Sequence, residues 1–215
     1  MLIIGLTGGI ASGKSMVSHI LRELGADIID ADKVTLELQQ PNTPAWQEIV
    51  AEFGEGMLRS DNSLDRRALG DLVFHNPAAL RRLNQIVHPK VIARTNELIA
   101  QIAAHNARAI VVIDAALLIE AQIYTMVDEV WVVSIPPELQ LVRLMSRDNF
   151  SREEALKRIN AQMPLQDKLM FAQRVIDNSG SPEQTHRTVR HVWRELLHTI
   201  AQREKPEANN DSQNH

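Results

Sequence analysis

The residues with the clearest chemical capacity are Gly8-Gly9-Ile10-Ala11-Ser12-Gly13-Lys14-Ser15, which fill the pattern G-x-x-x-x-G-K-[ST]. Glycines there let successive backbone N–H groups turn inward on phosphate oxygens, and a helix starting at the end of the pattern adds its partial positive charge. Lys14 is expected to reach the β- and γ-phosphates of ATP, and the Ser15 hydroxyl to ligate Mg²⁺, a cation that keeps several waters and bridges phosphate oxygens. The expected nucleotide-binding run is therefore Gly9, Ile10, Ala11, Ser12, Gly13, Lys14, Ser15 and Met16.

Carboxylates supply the complementary chemistry. Asp30 and Asp32 follow the apolar run 26–29. If the chain stays extended there, both side chains project toward the phosphate loop, where a carboxylate accepts or orients the proton of an attacking hydroxyl. The alternative is a helix N-cap, with residues 33–38 helical. Asp114 ends another apolar run, the position from which such enzymes hold Mg²⁺ directly or through water. Asp177-Asn178-Ser179-Gly180 spells the D-x-x-G of a nucleotide switch, but no N-K-x-D for guanine accompanies it, so a switch is not expected.

Arg143 and Arg147 are four apart on a helix opening at Pro136-Pro137, with Arg152, Lys157 and Arg158 close behind. These cations read as a lid that closes over ATP and neutralises the transferred phosphoryl group, or as a solvated face paired with Asp148, Glu153 and Glu154. The eight histidines lack the spacing of a zinc-binding helix. His88, before Pro89, is by residue type a helix-end or core histidine sooner than a ligand.

These groups need elements to position them. Residues 2–6 form an apolar run before the glycines, and Met16, Val17, Ile20, Leu21 and Leu24 recur at helical spacing up to Gly25. Residues 26–29, 109–113, 129–133 and 175–176 read as further strands. Residues 35–105 contain no strand-like run and break into helical pieces at Pro41, Pro44, Gly54, Gly56, Pro77 and Pro89. Ser151 with Glu154 is a capping box, and Val189, Val192, Trp193, Leu196, Leu197 and Ile200 mark a closing amphipathic helix. The expected fold class is α/β: a P-loop NTPase-type, mostly parallel five-stranded sheet flanked by helices, with a helical substrate-binding insertion and a helical lid. Residues 1–34, 106–135 and 174–202 form the expected nucleotide-binding core, 35–105 the acceptor-binding insertion and 136–173 the lid, with 203–215 a polar tail expected to be disordered.

Bulk composition narrows the function. A chain of 215 residues, 44% apolar and 23% charged, accommodates one domain with an insertion. A net charge of −4 opposes a surface that tracks nucleic acid. Without cysteine there is no disulfide, thiol nucleophile or thiolate zinc site. The start lacks the pattern of a cleaved leader, and no apolar run approaches the roughly 20 residues that span a bilayer. A cytoplasmic protein with no membrane partner is expected, monomeric in preference to oligomeric.

Taken together, these residues resemble the dephospho-coenzyme A kinase family. The resemblance covers about residues 2–200 and is carried by Leu6-Thr7 with the phosphate loop, Ile29-Asp30-Ala31-Asp32, Leu64-Asp65-Arg66-Arg67-Ala68-Leu69, His88-Pro89, Leu117-Leu118 with Glu120, Arg158-Ile159 with Gln162, and Val175-Ile176-Asp177-Asn178. It implies ATP-dependent phosphorylation of the ribose 3′-hydroxyl of dephospho-coenzyme A, the last step to coenzyme A, with Mg²⁺ and Asp32 as the base. Arg66, His88 and Glu120 would line the acceptor side; Arg143, Arg147 and Asn178 would meet ATP. Met16, Leu36, Ala116 and Gln173 stand where the family usually has threonine, arginine, proline and aspartate. Competing readings are another small P-loop kinase, acting on a nucleoside monophosphate or polyol, and an ATP-binding regulator that transfers nothing.

Overall fold

A computed structural model describes residues 1–203. The apolar runs become five strands: β1 (Leu2–Gly8), β2 (Asp27–Asp30), β3 (Ile110–Asp114), β4 (Glu129–Ser134) and β5 (Arg174–Asp177). They form one parallel sheet in the order β2-β3-β1-β4-β5. The three inner strands carry near-continuous buried runs, as strands covered on both faces must. Because every strand points the same way, Gly8, Asp30, Asp114, Ser134 and Asp177 all end at one rim. That rim is where open α/β sheets take ligands.

One face is covered by α1 (Lys14–Glu23) and α9 (Pro182–Arg203). Val17, Ile20 and Leu21 of α1 pack with Val189, Trp193 and Leu196 of α9 over Ile4, Leu6 and Trp131. Gly25, at φ 100°, stops α1 in a left-handed cap in which the Ala26 N–H reaches Leu21 C=O. The other face is covered from the region 35–105, which folds with the preceding residues into α2 (Ala31–Leu38), α3 (Pro44–Phe53), α4 (Arg66–His75) and α5 (Pro77–His105). Thr43, Asp65 and Asn76 cap the last three through their side chains. Val34, Ile49, Leu69, Val87 and Val91 share a single core with Val111, Ile113 and Val132.

Two local expectations are corrected here. Pro89 does not break the helical pattern; it lies inside α5. Its ring costs about 3 kcal/mol in a helix interior, but Val87, Val91 and Ile99 on the same helix are buried, at about 1.5–3 kcal/mol each. The Gln85 carbonyl released by the missing N–H belongs to an exposed residue and can be hydrated. The strandless region also holds one antiparallel bridge, Leu58 with Leu64.

The remaining helices are α6 (Pro137–Asp148), α7 (Arg152–Asn160) and α8 (Leu165–Leu169). The Ser151–Glu154 capping box forms in both directions at the start of α7. Leu141, Leu144 and Ala155 make a small cluster of their own, touching Ile10 and Ala11 of the phosphate loop. The polar tail falls outside the described residues, except that Arg203 still belongs to α9. Among the described residues no helix is long and apolar enough to cross a membrane.

Candidate active site

The phosphate loop bridges β1 and α1. No side chain caps α1, so its first backbone N–H groups face the loop interior, available to an anion. Gly13 sits at φ 86°, and a Cβ there would lie 1.9 Å from Asn178 Nδ2. Gly13→Ala is therefore expected to lose about 1–2 kcal/mol to the left-handed backbone alone, to displace Asn178, and to weaken ATP binding roughly tenfold. Thermal melts and nucleotide titration check both; unchanged ATP affinity would show that the loop tolerates the displacement.

Not every amide of the run points inward. The Ile10 N–H donates to Gln162 Oε1 at 2.8 Å while Gln140 Nε2 donates to Ile10 C=O at 2.9 Å. The Met16 N–H bonds Gly13 C=O at 3.0 Å. Ile10 and Met16 therefore do not present their amides to phosphate in this conformation. Asn178, expected at the nucleotide, is 2% exposed; its Nδ2 donates to Ser12 C=O at 2.7 Å and its Oδ1 accepts from Thr185. Its side chain braces the loop from behind, a positioning task, though the residue also borders the nucleotide side.

Lys14 extends from the start of α1 into a carboxylate pair. Its Nζ bonds Asp114 at the end of β3 and lies 3.9 Å from Asp32 Oδ2. Asp30 and Asp32 do not project together, because the chain turns helical at Ala31. Asp30 caps α2, its carboxylate accepting from Lys33 N–H at 3.0 Å; the capping alternative is the one realised. Asp32, in the first turn of α2, keeps 61% of its side chain open. Its pKa is raised above the usual 3.8 chiefly by desolvation, opposed by the Lys14 charge and reinforced by Asp30 and Asp114. With most of the carboxylate still wetted, that desolvation is partial and grows when an acceptor displaces the water.

Three concavities hold most of the remaining candidate residues. A cavity of about 330 Å³ beside Asp32 is lined by Leu36, Asn84, His88, Val91 and Leu117 and by no lysine or arginine. Burial lowers the His88 pKa below 6.5, so its ring is neutral at pH 7. A cleft of about 790 Å³ between α4 and α7 gathers Arg66, Arg67, Lys157 and Arg158 with Phe74 and Glu154. A third, about 630 Å³, lies on the other side of the loop between Ser15, Val142, Arg143, Arg147 and Pro182. Arg147 is held by Asp148 through two 2.8 Å hydrogen bonds, Lys157 pairs with Glu153 at 2.9 Å, and Arg158 lies 4.2 Å over the Phe150 ring. Arg143 has no ion-pair partner among the described residues. Of the two readings of the cation run, the paired, solvated face describes Arg147 and Lys157.

Glu120 is engaged within the fold. It does not border the cavity beside Asp32; its carboxylate accepts from Lys168 Nζ and from the Met163 N–H at 3.0 Å. Sequence reasoning passed over Gln140, Lys168 and Thr185 entirely and met Gln162 only within the resemblance. Amides and a lone lysine carry no spacing signal; the contacts of Gln140 and Gln162 with Ile10 span 130 and 152 residues of chain, and those of Lys168 span 52 and 48.

A glycine loop at the carboxyl end of β1, its lysine set between two carboxylates and an acceptor-sized cavity beside one of them, defines a P-loop kinase acting on a small molecule. The family model for dephospho-CoA kinase matches residues 2–184. A dephospho-CoA kinase of Carboxydothermus hydrogenoformans is 49% identical over 203 residues, 94% of each chain. The solved dephospho-CoA kinase of Campylobacter jejuni superposes with a TM-score of 0.68 at 31% identity, covering 92% of this chain and 98% of that one. Shikimate kinase from Aquifex aeolicus, at 17% identity and a TM-score of 0.51, shares the fold alone. The chain belongs to the dephospho-CoA kinase family, whose members phosphorylate dephospho-CoA at the expense of ATP.

Proposed function

We propose that Asp32 takes the proton of the acceptor's ribose 3′-hydroxyl while that oxygen attacks the γ-phosphorus of ATP held by the loop. The P–O bond to ADP breaks as the new P–O bond forms, giving coenzyme A. The observation that carries this reading is the position of Asp32, 3.9 Å from the loop lysine on one side and lining the neutral cavity on the other. Lys14 exchanges Asp114 for the phosphates when nucleotide arrives and offsets charge building on the transferred group. Arg143 faces the nucleotide cavity with its charge uncommitted and serves the same end from α6; Arg147 borders the same cavity.

Magnesium fits the donor set. Ser15 Oγ and the Asp114 and Asp32 carboxylates are hard oxygen donors, while among the described residues no group of three or more acidic, histidine or cysteine side chains forms a complete cage. Ser15, with Asp114 directly or through water, would hold the ion, which when bound neutralises charge on the phosphate oxygens.

Charge places the acceptor. Its diphosphate does not belong in the cavity beside Asp32, where Leu36 replaces the arginine frequent in the family and no cation remains. That cavity receives the adenosine end, with neutral His88 as a hydrogen-bonding wall. The diphosphate and its tail run toward the cationic cleft headed by Arg66. In this reading residues 35–105 bind the acceptor, 136–173 form the lid, and 1–34, 106–135 and 174–202 the nucleotide core. The same reading takes the protein as a cytoplasmic monomer that uses no nucleic acid.

Purified protein with Mg-ATP should turn over dephospho-CoA with kcat/KM at least about 100-fold above AMP, shikimate or a nucleoside offered side by side, and the product should carry its new phosphate on the 3′-oxygen. Faster consumption of ATP with any of the others would remove this acceptor assignment.

A further inference from the structure

Lys168 is the one lysine among the described residues whose side chain is wholly buried, at 0% exposed. It stands in α8, outside every group so far given a chemical task. Taking an ammonium out of water costs several kcal/mol unless its hydrogen bonds are replaced, so what replaces them shows what the residue holds in place. The partners are Ala116 C=O at 2.8 Å and the two Glu120 oxygens at 2.9 and 3.0 Å.

Each partner leads to a different half of the reaction. Ala116 lies in the loop after β3, between Ala115 and Leu117, which form part of the wall of the cavity beside Asp32. Its carbonyl also accepts from Thr7 Oγ1 at 3.1 Å, which ties it to β1, and its amide favours the charged form of Asp32. Glu120, the second partner, accepts the Met163 N–H at 3.0 Å. Met163 follows Gln162, whose Oε1 takes the Ile10 N–H of the phosphate loop, and Gln162, Met163, Pro164 and Leu165 line one small cavity with Gly9 and Ser12.

We propose that Lys168 is a positioning residue for phosphoryl transfer: its ammonium, shared between Ala116 C=O and Glu120, fixes the acceptor wall and the phosphate loop at one mutual distance. The pair thereby couples donor to acceptor without touching either. This rests on the kinase reading of the site. In-line transfer demands reacting atoms at near-contact distance, and a displacement of about 1 Å costs on the order of 100-fold. Neither ligand loses a contact of its own, so the effect falls on kcat.

The test replaces the pair by an uncharged one, Lys168→Met with Glu120→Gln, an exchange that is often neutral for stability. Glu120→Gln alone, which keeps an acceptor for Lys168 or for Met163, serves as the milder second variant. Melting temperature, kcat and both KM values are measured, alone and combined with Gln162→Ala. Expected in the folded variants is a fall in kcat of roughly 10- to 100-fold, with both KM values within about threefold, and a loss that does not multiply further when Gln162→Ala is added. Turnover within twofold of the parent in either variant overturns the proposal. So does a loss shared equally by KM and kcat, or one fully multiplicative with Gln162→Ala. If the double variant does not fold, the Glu120→Gln result alone decides by the same criteria. Should the parent protein itself fail to phosphorylate dephospho-CoA, the acceptor reading falls; a working parent with indifferent variants sinks only the role of Lys168.

Discussion

Replacing Lys14 by alanine is expected to cut kcat/KM by about a thousandfold, the scale of losing one preorganised charge aimed at a developing phosphoryl oxygen. Lys14 is the cation that projects from the loop itself into the carboxylate pair, and it contacts Asp114 and approaches Asp32. Arg143 lines a different cavity and cannot take over without moving. Part of the effect is structural. Asp114 is 7% exposed and would be left without its counter-ion, and breaking a buried pair from one side costs about 3–5 kcal/mol. A melting curve separates the two contributions. Asp114→Asn combined with Lys14→Ala should recover stability without recovering turnover. Calorimetry should show weak uptake of Mg-ATP by the variant. Turnover within tenfold of the parent would mean that the loop lysine is not the grip on the phosphates, and the whole assignment of the site would go with it.

Asp32→Asn should lower kcat by about a thousandfold, within the range for loss of a positioned general base, while KM for ATP and for dephospho-CoA stays within a few-fold. Asparagine keeps the shape of the side chain and cannot accept a proton. The parent enzyme adds a second readout. The raised pKa of Asp32 means that kcat/KM falls as pH drops through a value above 3.8, since only the carboxylate serves as base. That acid limb should vanish in the variant. Stability moves the other way. A carboxylate whose folded pKa exceeds its unfolded one is protonated more readily in the native state, so native stability declines as pH rises from 3.8 through the folded value and remains lower above it. Asp32→Asn removes that penalty and should melt slightly higher than the parent at pH 7, as active-site replacements often do. A variant that keeps its turnover, or an acid limb that persists in it, would move the base elsewhere.

The local chemistry of the loop was legible from Gly8 to Ser15 because it is written in consecutive residues. Glycine at 13 is required by a positive φ, and a lysine and a hydroxyl follow at fixed offsets on one helix turn. The strands were legible for a similar reason: runs buried on both faces read as unbroken apolar stretches, and their alternation with helices leaves a parallel sheet as the simplest outcome. Asp114 needed only its place at the end of such a run. Helix capping at Thr43, Asp65, Asn76 and Ser151 is likewise a matter of a few neighbouring residues.

Choices between competing local options were decided by tertiary packing. Whether Asp30 faced the phosphates or capped a helix depended on Ala31 and Val34 being drawn under the sheet, which starts α2 one residue after β2. Whether Pro89 ended a helix depended on the apolar face of α5, whose burial outweighs the lost hydrogen bond. Of the cations at 143–158, Arg147 and Lys157 found carboxylates on their own helices, a local outcome, whereas Arg158 sits over the ring of Phe150 in the turn between α6 and α7.

By itself, then, the sequence determined the phosphate loop, the strand and helix alternation and the family, because each is encoded by residues within a turn or a strand of one another. Tertiary structure alone decided that Glu120 bonds Lys168, that Asn178 and Gln162 brace the loop, that a cavity without lysine or arginine opens beside Asp32, and that a cationic cleft forms between α4 and α7. Those roles depend on distances between segments as much as 166 residues apart, and a side chain's partner across such a gap is set by how the layers pack, a quantity no short window of residues contains.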